Sequence, residues 1–165
     1  IEQVINSLGY KMKHFPIFIS VEGRRIIVSG GQEAALAKLR LLLKTTASIT
    51  VYAQNVHKDI ILLADKGKIK LVNRPLARGD AICATLFYGA NEDSIEDARS
   101  AKIAREEGAL INIVDNLEDS QFITPAIVDR DPVTIAIGTE GAAPVLARAI
   151  KADLEKSKKE NLEIV

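Results

Sequence analysis

The chain has 165 residues, long enough for one core of ordinary size or one domain with a short appendage. Its 22 basic residues balance 22 acidic ones, so no bulk charge drives it toward nucleic acid or an anionic membrane surface. No apolar run is long enough to span a bilayer, and the single cysteine, Cys83, lacks an intrachain partner, which fits a reducing compartment.

Residues 1–12 read as an extension outside the fold. They lack a basic-then-apolar signal pattern, so the expectation is a cytoplasmic protein. The chain begins at Ile1 rather than Met, which fits a piece of a longer protein. Residues 15–21 (FPIFISV) read as a strand and residues 24–28 (RRIIV) as the next. Over residues 32–44, Ala35, Leu36, Leu39, Leu42 and Leu43 fall near one face, which predicts an amphipathic helix. Residues 48–53 are a predicted strand, 56–64 a helix ending near Gly67, and 68–73 another strand. Residues 81–88 read as a fully buried strand with Cys83 inside it. Residues 94–107 carry charge pairs at helical spacing, with Gly108 as the stop. Residues 109–115 are the following strand.

This alternation calls for an α/β fold, a doubly wound parallel sheet of the Rossmann-like kind with helices on both faces. After Asp115 the rhythm changes. Two strand-like pieces, 126–129 and 133–138, precede a long helix whose start is marked by Pro144. This tail has too little apolar surface for a core of its own. It is expected to pack on a partner, most simply a second copy of the chain.

The junction after the second predicted strand carries the first chemical signal. A dinucleotide loop needs a sharp turn, a backbone free of side chains beneath the pyrophosphate, and a small residue where helix meets strand. Ser29, Gly31 and Ala34 stand at those places, with Gly30 between. Gly31 allows the close approach and Ala34 the close packing. Ser29 is strained if its position needs positive φ and tolerable otherwise. A plain βα turn fits the same residues equally well. At the end of the next strand, where such domains place an acid for the ribose hydroxyls, the chain has Tyr52, Ala53, Gln54 and Asn55. Amides bond a ribose less strongly than a carboxylate. The same gap argues against an S-adenosylmethionine methyltransferase. No metal site is expected: His14 and His57 lie far apart, with no partner at ligand spacing. From position alone, Asp115 reads as a turn aspartate after a strand more readily than as a catalytic group.

The stretches HFPIFISVEGRRIIVSGG, INIVD and FITPAIVDRDPVTIAIGTEGAAPVLAR resemble the N-terminal module of siroheme synthase, the precorrin-2 dehydrogenase/sirohydrochlorin ferrochelatase family. The likeness runs from about Lys13 to about Glu155, and the last stretch is far more specific than the glycine loop. It implies an NAD-binding domain over 13–118 and a dimerisation segment of strands and helix over 119–165, cut short of the helices that usually follow. It implies NAD-dependent oxidation of precorrin-2 to sirohydrochlorin, insertion of Fe2+ as a substrate in many members, and a homodimer.

Carried over by residue, the pyrophosphate loop falls on Ser29, Gly30, Gly31, Gln32, Glu33 and Ala34, and the contacts after the second parallel strand on Gln54 and Asn55. The strand-end step before the acidic helix falls on Ala90 and Asn91, so a hydroxyl carried by the family is missing. The catalytic aspartate falls on Asp115, with Asn112 matching beside it. As general base, Asp115 would take a proton from the tetrapyrrole while hydride leaves a ring carbon. That requires its carboxylate to face the same crevice as residues 29–34. The family fold also makes Arg130, Arg148, Lys13 and His14 candidates for the substrate's carboxylates. Read one at a time, they are equally well exposed surface charges. Thr139 joins them, at a place where some fused members carry a regulatory serine. Residues 138–144 (GTEGAAP) suit a substrate carboxylate or an ordinary helix start. The departures at Ser29 and Ala90 keep open a chelatase-only protein, or a silent tetrapyrrole-binding or dimerisation module with a degenerate NAD loop.

Overall fold

The run Ile26-Ile27-Val28 forms the centre of a parallel sheet in a computed structural model, which describes residues 12–140 and 143–161. It lies in β1 (Arg25–Ser29), followed by α1 (Glu33–Leu42), β2 (Ser48–Tyr52), α2 (Lys58–Asp65) and β3 (Lys70–Val72). Then come β4 (Ala84–Gly89), α3 (Ser94–Glu106) and β5 (Leu110–Ile113). The strand order is β3-β2-β1-β4-β5, with every pair parallel. This is the doubly wound α/β arrangement expected from the sequence. The order reverses between β1 and β4, and ligands of such sheets bind beyond the carboxyl ends of the strands at that reversal.

Side chains alternate across the pleat, so β1 feeds two cores. Ile26 and Val28 pack with Leu36 and Leu39 of α1 and Ile60 of α2. Ile27 packs with Phe87 of β4 and Ala101 and Ala104 of α3 on the opposite face. Burial on both faces explains why the strands read as unbroken apolar runs. The crossover from β3 to β4 contains no helix. Leu76 and Ala81, both buried, seal that part of the sheet instead. The helix expected from residue 56 starts at Lys58, because His57 occupies the cap: its Nδ1 accepts the Asp59 N–H at 3.2 Å.

Two expectations are corrected. No strand forms over residues 15–21, where Phe15, Ile17 and Phe18 are 81%, 65% and 77% exposed. Strand-like residues make a strand only where a neighbouring edge takes their backbone hydrogen bonds, and among the described residues none pairs with this segment. Cys83 is not inside a buried strand either. It is exposed, with φ +61°, in the turn that precedes β4. That turn is held by Arg25, whose guanidinium donates to the carbonyls of Ile82 and Asp80, each at 2.8 Å.

Residues 18–122 form one compact unit, and the described residues up to Ile17 and from Ile123 onward form another. In the second unit β6 (Ala126–Arg130) and β7 (Val133–Ile137) make an antiparallel hairpin. α4 (Pro144–Asn161) packs on it, and Val128 and Ala147 are buried. His14 belongs to this unit: its backbone N–H donates to Glu140 Oε1 at 3.2 Å, and its ring bonds the other carboxylate oxygen. That bond holds the Glu140 carboxyl below the usual carboxylate range. The extension at residues 1–11 and the middle of GTEGAAP, residues 141–142, lie outside the described residues.

The two-face core predicts a sharp contrast between two leucines. Leu39→Ala removes a fully buried side chain and is expected to cost about 2–5 kcal/mol. Leu62→Ala, at a half-exposed helix position, is expected to change stability by less than about 1 kcal/mol. Urea midpoints of the two variants check this, and equal losses would contradict the assignment of the core.

Candidate functional site: a pocket at the carboxyl ends of β1, β2 and β4

The chain leaves β1 through Ser29, Gly30 and Gly31, and all three are buried. Gly30 has φ +125°, and a Cβ there would lie 2.1 Å from the Ala90 carbonyl oxygen. A Cβ on Gly31 would lie 2.3 Å from the Asn55 carbonyl oxygen and 2.7 Å from the Ala53 side chain. Real side chains do not reach such distances, so both positions demand glycine. The left-handed position is therefore Gly30, not Ser29, which stays in the β1 ladder opposite Tyr52 and Gly89. Backbone bonds stitch the strand ends together: Gly30 N–H donates to Tyr52 O at 2.9 Å, Ala90 N–H to Ser29 O at 2.7 Å, and His57 N–H to Gly31 O at 2.7 Å.

Beside this loop lies an open pocket of about 450 Å3. Gly31, Gln32, Gln54, Asn55 and Asn91 line it, five of the nine residues expected to hold a cofactor. The other four do not line it. Ser29 and Gly30 are buried behind the loop, Ala34 packs on the α1 core, and Glu33 points outward with an oxygen 3.3 Å from His57 Nε2. Tyr52, Ala53, Pro75, Glu92, Asp93 and Glu96 complete the wall, and sequence reasoning did not name them as site residues. A signal for two of them was present: Asp93 followed three residues later by Glu96 is the signature of a capped helix start. Asp93 Oδ1 accepts the N–H groups of Ile95 at 2.9 Å and Glu96 at 3.4 Å.

Asn91 is held from three directions. Its Nδ2 donates to Ser29 Oγ at 3.2 Å and to Asp97 Oδ1 at 2.8 Å, and its backbone N–H reaches the same Asp97 oxygen at 3.0 Å. The hydroxyl that Ala90 cannot offer thus reaches Asn91 from Ser29. Asp97 has no signal of its own in the sequence, yet it is only 7% exposed. Burial pushes its carboxyl above the usual range, against the smaller opposing pull of the Asn91 bonds. Behind Tyr52 and Pro75, Arg74 grips Asp80 through bonds of 2.6 and 2.9 Å and lies 5.3 Å from the Tyr52 ring centroid. The Arg74 hydrogen bond holds the Asp80 carboxyl below its ordinary range.

Asp115 lies one strand further along, beyond the carboxyl end of β5 and outside the lining of this pocket, so the crevice expected to join it to residues 29–34 is not formed by this pocket. It is exposed, with φ +59°, a conformation aspartate tolerates better than most residues. Its turn is held by Ser120, whose Oγ accepts the Ile113 N–H at 2.9 Å and donates to the Asn116 carbonyl at 2.5 Å. Asn112 is 6% exposed; its Nδ2 donates to the Phe122 carbonyl at 2.8 Å, and its Oδ1 is buried with no partner among the described residues. Arg130, Thr139, Arg148 and His14 belong to the second compact unit. Arg130 and Arg148 are exposed, Thr139 is half-buried, and His14 is engaged by Glu140. Among the described residues, no group of three or more His, Cys, Asp or Glu side chains is arranged to hold a metal ion.

The residues at the loop fit a dinucleotide. Two glycines leave the backbone bare, and Gln32 at the start of α1 makes no side-chain cap, so the helix N–H groups stay available to a phosphate. Gln54 and Asn55 stand at the end of β2, where the ribose of such a ligand lies. Fold and loop together define the class: a dinucleotide-binding α/β domain. Residues 17–126 match the family model described as "Putative NAD(P)-binding", and the chain belongs to that family.

Its curated relatives include siroheme synthases. That of Pseudoalteromonas atlantica is 40% identical over 144 residues, covering 87% of this chain and 31% of the relative. Those of Methylococcus capsulatus and Chromobacterium violaceum are each 38% identical over the same share of this chain, covering 30% and 31% of their lengths. The chain therefore spans about a third of the length of the curated relatives it matches. Among solved structures, "SirC, precorrin-2 dehydrogenase" superposes with a TM-score of 0.73 at 26% identity, over 87% of this chain and 71% of that one. The resemblance to the siroheme synthase family read from the sequence is thereby borne out.

Two measurements follow from the loop and its support. Gly30→Ala meets both a backbone clash and an unfavourable φ, and is expected to destabilise the unit by about 2 kcal/mol or more. A wild-type denaturation midpoint would contradict that geometry. Asp97 has a raised folded-state pKa, so its contribution is fully present below its unfolded value of about 4 and is lost as pH rises through the folded value. Asp97→Asn removes the ionisation, so the stability advantage of the variant is expected to grow from pH 4 toward neutrality. Parallel stability–pH curves would refute this.

Proposed function

We propose that this chain carries out the NAD-dependent oxidation of precorrin-2 to sirohydrochlorin, with Asp115 as general base. The observation that carries the reading is the bare two-glycine loop beside the pocket, in a chain similar to a precorrin-2 dehydrogenase and to siroheme synthases. NAD rests on the same footing, supported by the match to the family model described as "Putative NAD(P)-binding". Gly30, Gly31 and Gln32 would bind the pyrophosphate through backbone N–H groups, and Gln54 and Asn55 would bond a ribose. Asn91, locked by Asp97 and Ser29, would fix the other end. NAD+, when bound, supplies the two-electron acceptor for the oxidation.

The chain's own residues supply the rest. Asp115 stands at the end of the strand next to β4, on the edge where doubly wound sheets hold their ligands. There it would receive the proton lost from the macrocycle as the ring carbon is oxidised. Asn112, at the end of the same strand, has a buried oxygen without a donor among the described residues, which suits a bond to substrate N–H. Arg130, Arg148, His14 and Thr139 remain the proposed contacts for substrate carboxylates.

Insertion of Fe2+ is a second activity of the same site, supported by the siroheme synthase relatives. The macrocycle nitrogens would hold the iron, and Asp115 would accept their protons. A homodimer built through residues 119–165 is supported by the exposed apolar side chains of the second unit, among them Val133, Val145 and Leu146.

Titration of NAD+ into the purified chain is expected to show saturable binding. Asp115→Ala is expected to keep that binding while slowing precorrin-2 oxidation by roughly a hundredfold or more. An undiminished rate in the variant would end the general-base role. Tetrapyrrole binding without any NAD+ binding would favour a chelatase or a silent binding module instead.

A further inference from the structure

Asn91 stands just beyond β4, half-buried, on the wall of the pocket. Its side-chain nitrogen carries two hydrogens, and both are already used inside the protein. Nδ2 donates to Asp97 Oδ1 at 2.8 Å and to Ser29 Oγ at 3.2 Å. Asp97 and Ser29 are both buried, so this end of the amide is turned away from solvent. The Asn91 oxygen, Oδ1, lies on the other side of the planar amide and accepts no bond among the described residues.

Two features hold the amide this way round. Asp97 Oδ1 already accepts the backbone N–H of Asn91 at 3.0 Å. Turning the amide over would set the Asn91 oxygen against that acceptor and leave the Ser29 hydroxyl without its donor. Gly89, at the end of β4, makes room for the carboxylate: a Cβ there would lie 2.9 Å from Asp97 Oδ1. Glycine at that place and a buried acid on α3 together fix one orientation of one side chain on the pocket wall.

An oxygen with no hydrogen to give selects its ligand by chemistry. It cannot hold a phosphate, whose oxygens at neutral pH are acceptors, and it can hold an O–H or N–H group. Glu92 and Asp93 on the same wall are acceptors too, and among the described lining residues there is no lysine, arginine or histidine. The phosphates of a dinucleotide thus belong at the bare glycine loop, and the β4 side of the pocket belongs to a donor-bearing part of the molecule. In NAD+ two such parts lie beyond the pyrophosphate, the hydroxyls of the nicotinamide ribose and the carboxamide.

We propose that Asp97 and Ser29 are positioning residues that hold Asn91 with its oxygen toward the pocket, and that this oxygen is a specificity-determining acceptor for a hydroxyl or amide donor at the nicotinamide end of the cofactor. This rests on the reading of the pocket as an NAD+ site. Asp97 and Ser29 act only through Asn91.

The test is calorimetric titration of the purified chain with three probes: NAD+, NAD+ lacking the hydroxyls of the nicotinamide ribose, and acetylpyridine adenine dinucleotide, in which methyl replaces the carboxamide NH2. One analogue is expected to bind roughly threefold to tenfold more weakly than NAD+, the worth of one hydrogen bond, and which one it is identifies the donor. In Asn91→Ala, NAD+ is expected to weaken by a similar factor and that analogue's handicap to disappear. Asp97→Ala and Ser29→Ala free the amide to turn and are expected to reduce both NAD+ affinity and the handicap. Asp97→Asn keeps an oxygen acceptor and is expected to retain most of both. Neither Ser29→Ala nor Asp97→Ala is expected to have a further effect in an Asn91→Ala background, because residues acting as one unit are not additive. Should Asp97→Ala fail to fold, Ser29→Ala decides the positioning role by itself. Wild-type affinity and handicap in the folded positioning variants overturn that role. A handicap that persists in Asn91→Ala, or no handicap for either analogue, overturns the acceptor and leaves the NAD+ site standing. No binding of NAD+ to the unmodified chain overturns both readings together.

Discussion

The structure depends on how closely three strand ends approach one another. Gly30 and Gly31 thread between the exits of β2 and β4 with no room for a Cβ against Ala90 and Asn55. Three backbone hydrogen bonds of 2.7–2.9 Å tie the loop to both neighbours and to the start of α2. This closeness keeps the start of α1 bare and aimed at the pocket. The site is thereby set before any ligand arrives, which spares part of the ordering cost of binding.

Around that seam the polar side chains fall into two groups. Ser29, Asn91 and Asp97 support the pocket from the β4 side, and Arg74 and Asp80 brace its wall behind Tyr52. Asn112 and Asp115 lie at and just beyond the end of β5, outside the pocket lining. The first group braces the pocket beside the glycine loop, and the second stands apart from it. Such a division matches a sheet whose reversal point lies between β1 and β4. Asp97 gives up solvation in order to hold Asn91, a cost tolerated where one side chain must stay in one place.

The second unit follows a different logic. Among the described residues its hairpin and helix bury little beyond Val128 and Ala147 and leave Val133, Ile135, Val145 and Leu146 exposed. Phe15 and Ile17, which belong to the same unit, are exposed as well. An element with so much uncovered apolar area gains by being covered, as the proposed dimer would do. His14, set down from the resemblance as a substrate contact, is bonded by backbone and ring to Glu140, 126 positions away in the chain.

By itself, the sequence determined the parallel sheet, the helix positions to within a few residues, and the place of the glycine loop. Each of these is written in local periodicity: strands buried on both faces are apolar throughout, and α1 shows its core stripe at helical spacing. The pattern of residues 15–21 misled because a strand needs an edge to pair with, and no local signal reports whether one is present. Cys83 misled because a run of apolar letters does not show where a turn ends and a ladder begins. Only the folded chain reveals that the left-handed residue of the loop is Gly30, that Ser29 reaches Asn91, and that Asp97 is buried beneath it. Those facts depend on which atoms meet across residues far apart in the chain, and side-chain chemistry read along a line carries no record of such meetings.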